Sequence, residues 1–212
     1  KGDYFGPLAV VCAYMSAAQA REAAARGVTD SKGISDGRCL ALAEYLRSEL
    51  DGQWSRVVIG PDRYNRTYSQ MKRRGENLND LLARAHARCI RDLAGRTGSG
   101  SLTVLVDRFA REDLLLSHLD SPRHLEVRQV ERGERDLAVA AASILARAEF
   151  LRALEALSKT VGVVLPKGAG DATVATAERI VRMHGWRSLF RVAKLHFANT
   201  GKIDLGGSAH GK

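Results

Sequence analysis

Leu102-Thr103-Val104-Leu105-Val106 runs straight onto Asp107. A short strand-forming run with almost no polar interruption predicts a β-strand covered on both faces, and it delivers a carboxylate to its C-terminal end. Ligands of open α/β sheets collect at the carboxyl ends of strands, so Asp107 is a candidate for chemistry as well as a plain cap of the following turn. Downstream, His124–Val130 alternates like a half-buried strand, and a long helix is expected from Asp136 to Leu157. Its core stripe is Leu137, Ala141, Ile144, Leu145, Ala148 and Leu151. The helix opens on Ala138-Val139-Ala140-Ala141-Ala142-Ser143, small enough for close backbone approach. Further helices are expected over Asp171–His184 and Arg187–Lys194. Upstream, Leu8–Tyr14 reads as another fully buried strand. Ser16 and Gln19 form a capping box for a helix over Ala17–Arg26 that Gly27 stops. A helix follows Ser35 as far as Leu50, and Val57–Ile59 is the core of a strand. Leu78, Leu81, Leu82, Ala85, Cys89 and Leu93 make the clearest apolar stripe. Asp62-Arg63-Tyr64-Asn65 and Lys72-Arg73-Arg74 read as a solvated polar face. Strands alternating with helices predict an α/β domain with a mixed central β-sheet flanked by helices and a helical C-terminal part. No linker divides it.

Composition narrows the function. The 212 residues carry 33 Lys and Arg against 24 Asp and Glu, a formal net charge of +9, which favours a polyanionic partner, nucleic acid first. The longest apolar run, Pro7–Met15, is too short to cross a bilayer. The opening Lys1-Gly2-Asp3 offers no cleavable apolar segment. Cys12, Cys39 and Cys89 lack C-x-x-C spacing and read as reduced thiols of a cytoplasmic protein. Gly95–Ser101 is expected to be a loop and residues 206–212 a disordered tail.

Most familiar chemistries are absent as motifs. There is no G-x-S-x-G, no phosphate loop, no dinucleotide fingerprint and no zinc spacing. Carboxylate–metal chemistry on a polyanion is the reading left. Asp107 is one ligand candidate, and Glu134, in Arg132-Gly133-Glu134-Arg135, is another. An acidic residue near a helix N-terminus also has the ordinary role of offsetting the helix dipole. Two carboxylates brought together would suit a hard cation such as Mg2+, which takes oxygen ligands. Asp30-Ser31-Lys32 and Leu165-Pro166-Lys167-Gly168-Ala169-Gly170 are basic, glycine-containing loops of a kind that binds phosphate. His86 reads as a core histidine, and His196 has no evident partner for ligation.

The same segments resemble the type 2 ribonuclease H family, and its HIII branch more than HII. Lys1–Leu8 (KGDYFGPL) resembles the end of D-E-S-G-x-G-D-Y-F-G-P, and Asp30-Ser31-Lys32 its D-S-K segment. Tyr64-Asn65, Asn77-Leu78-Asn79 and Leu81–His86 (LLARAH) resemble Y-N…N-L-N-x-L-L-A-x-x-H. Val106–Phe109 resembles V-D-x-F, and Ala138–Arg147 (AVAAASILAR) the family signature. Leu165–Gly170 and Lys194–Thr200 (KLHFANT) resemble two C-terminal motifs. The resemblance spans residues 1 to about 203.

It implies a ribonuclease H-like fold and an endonuclease that hydrolyses the RNA strand of RNA–DNA hybrids to 5′-phosphomonoester products with Mg2+ or Mn2+, as a cytoplasmic monomer. Four carboxylates hold the metals in the family. Asp107 matches the third and Glu134 the fourth, with Glu131 and Asp136 as alternatives for the fourth. Lys1, Gly2, Ser31, Lys32 and Lys167 are the implied substrate contacts. The family's Asp-Glu pair would precede Lys1. The chain is therefore expected to be a catalytic domain over 1–205 that is incomplete at its N-terminus. The first strand and the usual N-terminal substrate-binding domain would be missing, and the chain itself nearly inactive. A non-catalytic hybrid-binding module and an HII-like enzyme incising at single ribonucleotides are the alternatives.

Overall fold

The computed structural model describes residues 2–97, 101–119 and 125–204. In chain order its elements are β1 (Leu8–Ala13), α1 (Ala17–Ala25), α2 (Asp36–Glu49), β2 (Trp54–Ile59), α3 (Pro61–Arg73), α4 (Leu78–Ala94) and β3 (Leu102–Asp107). Then come α5 (Glu112–Leu116), β4 (Leu125–Val130), α6 (Leu137–Val161), α7 (Asp171–His184) and α8 (Leu189–Val192). Short 3-10 turns occupy Ser31–Gly33, Gly133–Arg135, Trp186–Ser188 and Ala198–Lys202.

Helix starts follow the local chemistry. The Ser16 hydroxyl accepts from the Gln19 amide at 3.2 Å while the Gln19 side chain accepts from the Ser16 amide at 3.0 Å. Gly27 ends α1 at φ +84°, a conformation that costs side-chain-bearing residues. Ser35 caps α2 through Arg38 N at 3.2 Å. The Asn77 and Asp80 side chains cap α4 reciprocally.

The α/β class is borne out, with two refinements. Among the described residues the strands pair as two ribbons, β1 with β2 and β3 with β4, rather than as one continuous sheet. The β3–β4 pair is parallel, with Asp107 opposite Val130. Second, β3 is half-buried, with Val106 alone of its residues buried, rather than covered on both faces. Its backbone has one ladder partner, and the cluster beneath it (Ala87, Ile90, Val106, Leu115 and Leu119) covers one side. The crossover between the two parallel strands contains α5, a short helix without a periodic signal in the sequence.

Within residues 61–73 the solvated-face expectation holds for Arg63, Lys72 and Arg73 and fails for Tyr64 and Asn65. The stretch forms α3, and Tyr64, Asn65 and Met71 are buried. The Asn65 amide donates to Phe190 O at 3.1 Å and Ala193 O at 2.8 Å and accepts from Leu195 N at 2.9 Å. A buried amide that satisfies three backbone groups looks, in sequence, like any surface polar residue. Arg187–Lys194 is a 3-10 turn followed by the single turn of α8 rather than one helix. The tail from 206 lies outside the described residues.

The chain divides into two compact units. One comprises Lys1–Leu8, Val58–Gly75 and Phe150–Lys212, the other Ala9–Val57 and Glu76–Glu149. In the first, Tyr4, Phe5, Leu154, Leu165, Ile180, Leu189 and Ile203 are the largest buried members of the core. Gly6 threads through it at φ +82°, and an added Cβ would stand 2.9 Å from Phe150 Cε2 and 3.2 Å from Leu154 Cδ1. Gly6→Ala combines a strained φ with a clash against packed side chains. It is expected to destabilise the chain by about 2–3 kcal/mol, read as a lower urea midpoint at unchanged slope.

In the second unit α2 meets α6 where the Cys39 thiol donates to Ile144 O at 3.5 Å. Glu149, 8% exposed, is held by Arg47 and Arg56, whose guanidinium groups flank the Trp54 ring. A buried carboxylate is tolerated because two cations neutralise it.

Candidate active site

β3 carries Asp107 to an exposed position at its C-terminal end. β4 runs beside it, and beyond Val130 the chain doubles back. Arg132 adopts φ 55°, ψ 45°, and is the only non-glycine residue with positive φ among the described residues. The turn lays Gly133 directly on Asp107. The Gly133 amide donates to Asp107 Oδ1 at 3.1 Å, and a Cβ on Gly133 would lie 3.1 Å from Asp107 Cα and 3.2 Å from its Cβ. A Cβ there would sit tighter than ordinary packing, so glycine eases the close approach of the two backbones.

The turn sorts the three acidic residues that follow β4. Glu131 is exposed and pairs with Arg108 at 2.9 Å. Asp136 Oδ1 accepts from Ala138 N at 2.9 Å and Val139 N at 3.3 Å, capping α6. Glu134, half-buried, follows the glycine that touches Asp107 and has no hydrogen-bond or ion-pair partner among the described residues. Carboxylates such as those of Asp107 and Glu134 are hard oxygen donors, of the kind that suits Mg2+ or Mn2+ over softer metals. No group of three or more His, Cys, Asp or Glu close enough to hold a metal occurs among the described residues. The remaining coordination positions of a hexacoordinate ion would fall to water or phosphate oxygens.

Next to Asp107 the chain is aromatic and cationic. Phe109 stacks on His86 of α4 with ring centroids 4.9 Å apart. Arg108 and Arg111 line an open cleft of about 620 Å³ together with Ala110, Asp113 and Gln129.

Ser31 and Lys32 part company in the structure. Ser31 is buried, with its hydroxyl 2.7 Å from that of Ser143 on α6. Arg147 donates to the Ser31 and Ile34 carbonyls and pairs with Asp36 at 2.7 Å. Ser31 thereby seats its turn on the small-residue signature of α6, and Lys32 is left exposed beside it.

Lys1 lies outside the described residues. In the first unit, exposed Gly2 and Lys167 stand on adjoining loops. Asp3 Oδ1 accepts from Gly168 N at 2.8 Å, and Tyr4 N donates to Gly168 O at 2.8 Å. Asn199 holds the same loop through Ala169 O at 2.9 Å. Lys194 holds the N-terminal segment that follows Tyr4, its own backbone amide donating to Tyr4 O at 2.8 Å. It is 1% exposed and donates to Gly6 O at 2.7 Å and Phe5 O at 3.3 Å. Burial lowers its pKa to about 8, against a smaller opposing pull from Asp3. Burial, with the Lys194 charge second, also pushes His196 below its ordinary value, and the His196 ring packs at a tilt against Tyr68 with centroids 4.4 Å apart. These roles of Lys194 and Asn199 escape residue-by-residue reading. Lysine between Ala193 and Leu195 is the one local hint.

The family model described as Ribonuclease HII matches residues 1–200. The chain is 41% identical to ribonuclease HIII of Protochlamydia amoebophila over 198 residues, covering 93% of this chain and 63% of that protein. It is 35% identical to ribonuclease HIII of Bacillus cereus, over 95% of this chain and 64% of the relative. Among solved structures, Bst-RNase HIII in complex with Mn2+ superposes with a TM-score of 0.85 at 35% identity, covering 95% of this chain and 65% of the other. The ribonuclease H2 of Pyrococcus horikoshii matches in fold at a TM-score of 0.74 and 20% identity. The chain spans just under two thirds of the length of the HIII relatives it matches here.

Proposed function

The chain belongs to the type 2 ribonuclease H family, on its HIII branch, and from that premise we propose that the natural gene product containing it hydrolyses the RNA strand of RNA–DNA hybrids. The observation that supports this reading is the contact of Gly133, the residue before Glu134, with Asp107 at the end of β3, while Glu131 and Asp136 are engaged elsewhere. Asp107 and Glu134 are the residues that would hold a divalent ion, Mg2+ or Mn2+. Such an ion, when bound, acidifies an attacking water and offsets charge on the scissile phosphate. The Gly133 amide occupies one Asp107 oxygen and so orients the carboxylate. Lys32, Lys167 and Gly2, with Lys1, are proposed to meet the nucleic-acid backbone. Ser31 supports them by anchoring its turn rather than by direct contact. The net charge of +9 supplies sequence-independent affinity that falls with salt. A cytoplasmic, monomeric enzyme belongs to the same proposal, and no described helix is long and apolar enough to cross a membrane.

The test is cleavage of an end-labelled RNA–DNA hybrid by the purified gene product. Products with 5′-phosphate ends should form with Mg2+ or Mn2+ and cease with chelator. Salt-sensitive hybrid binding without cleavage would replace the reading with a non-catalytic binding module. A duplex with one embedded ribonucleotide should be cut poorly compared with a continuous RNA strand, and the reverse preference would assign HII-like specificity.

A further inference from the structure

Burial alternates along β4, and its inward positions are Leu125, Val127 and Gln129. The first two pack against the cluster of Ala87, Ile90, Val106, Leu115 and Leu119, as an inward face should. The third is an amide, 8% exposed, set opposite Val106 in the β3–β4 register. A buried amide in an apolar position is costly unless its polar atoms find partners.

Both ends of this amide are bonded to the chain that leaves Asp107. Backbone pairing runs one residue past the carboxylate, where the Arg108 amide donates to Val130 O at 3.0 Å. From there the Gln129 side chain takes over. Its Oε1 accepts from the Phe109 amide at 3.4 Å, and its Nε2 donates to Arg111 O at 3.3 Å. The Phe109 ring is held too, nearly parallel to His86 with centroids 4.9 Å apart. The chain is thus tied at Arg108, Phe109 and Arg111, and Asp107 lies within a fixed stretch rather than at a fraying strand end.

Resting on the reading of Asp107 as a metal ligand, the geometry points to Gln129 as its positioning residue. By continuing the strand pairing through a side chain, Gln129 fixes the backbone from which the carboxylate reaches the ion. Gly133 orients the carboxylate through Oδ1, and Gln129 secures the chain that bears it, so the two constrain different parts of one ligand. Groups that hold a metal ligand in place typically change metal affinity by about ten- to a hundredfold.

The experiment titrates Mn2+ into the natural gene product containing this chain, without substrate, and follows the free ion by electron paramagnetic resonance. Gln129→Met keeps the length of the side chain and removes both hydrogen bonds. It is expected to weaken Mn2+ binding about tenfold. In an Asp107→Asn background it should have no further effect, because it acts through that carboxylate. Wild-type affinity in Gln129→Met, or an equal further loss in the Asp107→Asn background, would overturn the assignment. Weak binding in Asp107→Asn beside tight binding in Gln129→Met rejects the positioning role alone, whereas unchanged binding in Asp107→Asn rejects the metal reading and the role with it. Ser16→Ala, which uncaps α1 in the same unit, should lose stability and keep its Mn2+ affinity. A matching loss of affinity there would make the Gln129 effect a consequence of stability and sink the proposal. Amide exchange in the wild type needs no variant. The Phe109 amide should be protected, and free exchange at that position would remove the bond on which the role depends.

Discussion

Asp107→Asn is expected to reduce hybrid cleavage by the natural gene product on the order of 10³-fold, about 4 kcal/mol of barrier, with the fold unchanged. The substitution is nearly isosteric, and the Asn carbonyl oxygen still accepts from the Gly133 amide that now bonds Oδ1 at 3.1 Å. The negative charge goes, and a neutral amide is a far weaker ligand for a hard divalent cation. Single-turnover cleavage at saturating metal, beside a thermal melt, separates the two effects. Full activity in the Asn variant would remove Asp107 from the site. Its neighbours supply the comparison. Glu134→Gln is expected to lower cleavage steeply, and Glu131→Gln to leave it nearly unchanged, because Glu131 pairs with Arg108 on an exposed surface. Asp136→Ala should instead cost about 1 kcal/mol of stability, since its carboxylate caps α6. A steep loss in Glu131→Gln with normal cleavage in Glu134→Gln would exchange their roles.

Lys194→Ala is expected to destabilise the chain by about 3–4 kcal/mol, because it deletes packed methylenes and leaves the buried Phe5 and Gly6 carbonyls without their donor. The wild-type chain should show a matching pH dependence. Its pKa is about 8 in the folded state against an ordinary 10.5. Between those values the unfolded chain binds more protons than the folded one, so stability rises with pH, by about 3 kcal/mol over the whole window. A neutral amine keeps two N–H donors, one for each carbonyl, and that state is the better one in a site 1% exposed. Tyr4 and Tyr64, whose phenols burial pushes upward, act in the opposite sense above pH 10. Cys12 and Cys89 are also shifted from an ordinary value of 9.0, so it is the difference between the wild-type and Lys194→Ala urea midpoints from pH 7.5 to 9.5 that isolates Lys194. A flat wild-type profile, or an unchanged slope in Lys194→Ala, would contradict the assignment.

Elements with a repeating apolar pattern were legible in the sequence. The stripe Leu81, Leu82, Ala85, Cys89 and Leu93 is buried along α4, and the capping box at Ser16 and Gln19 starts α1. The strand ending on Asp107 stands at its expected residues. Each depends on neighbours within a few positions, where backbone geometry ties spacing directly to a face or a hydrogen bond. The helix α3 was not legible, because its buried residues Tyr64 and Asn65 are polar types whose partners at Phe190, Ala193 and Leu195 lie far along the chain.

The candidate site divides in the same way. Asp107 and the acidic run after β4 can be found by inspection, and so can the family, because motifs in fixed order are a property of sequence alone. Which of Glu131, Glu134 and Asp136 would join Asp107 is not, since the three are chemically near-equal and differ by a few positions. The structure engages Glu131 with Arg108 and Asp136 with the start of α6, and beyond the left-handed backbone of Arg132 the Gly133 amide lies 3.1 Å from Asp107 Oδ1. Likewise Ser31 and Lys32 are adjacent in sequence, yet one is buried on Ser143 and the other exposed. Sequence determined the residues, their order and the local elements, because those follow from neighbours along the backbone. Tertiary structure alone decided which side chains share a site and which polar groups are buried, because those outcomes depend on contacts between segments that local spacing does not encode.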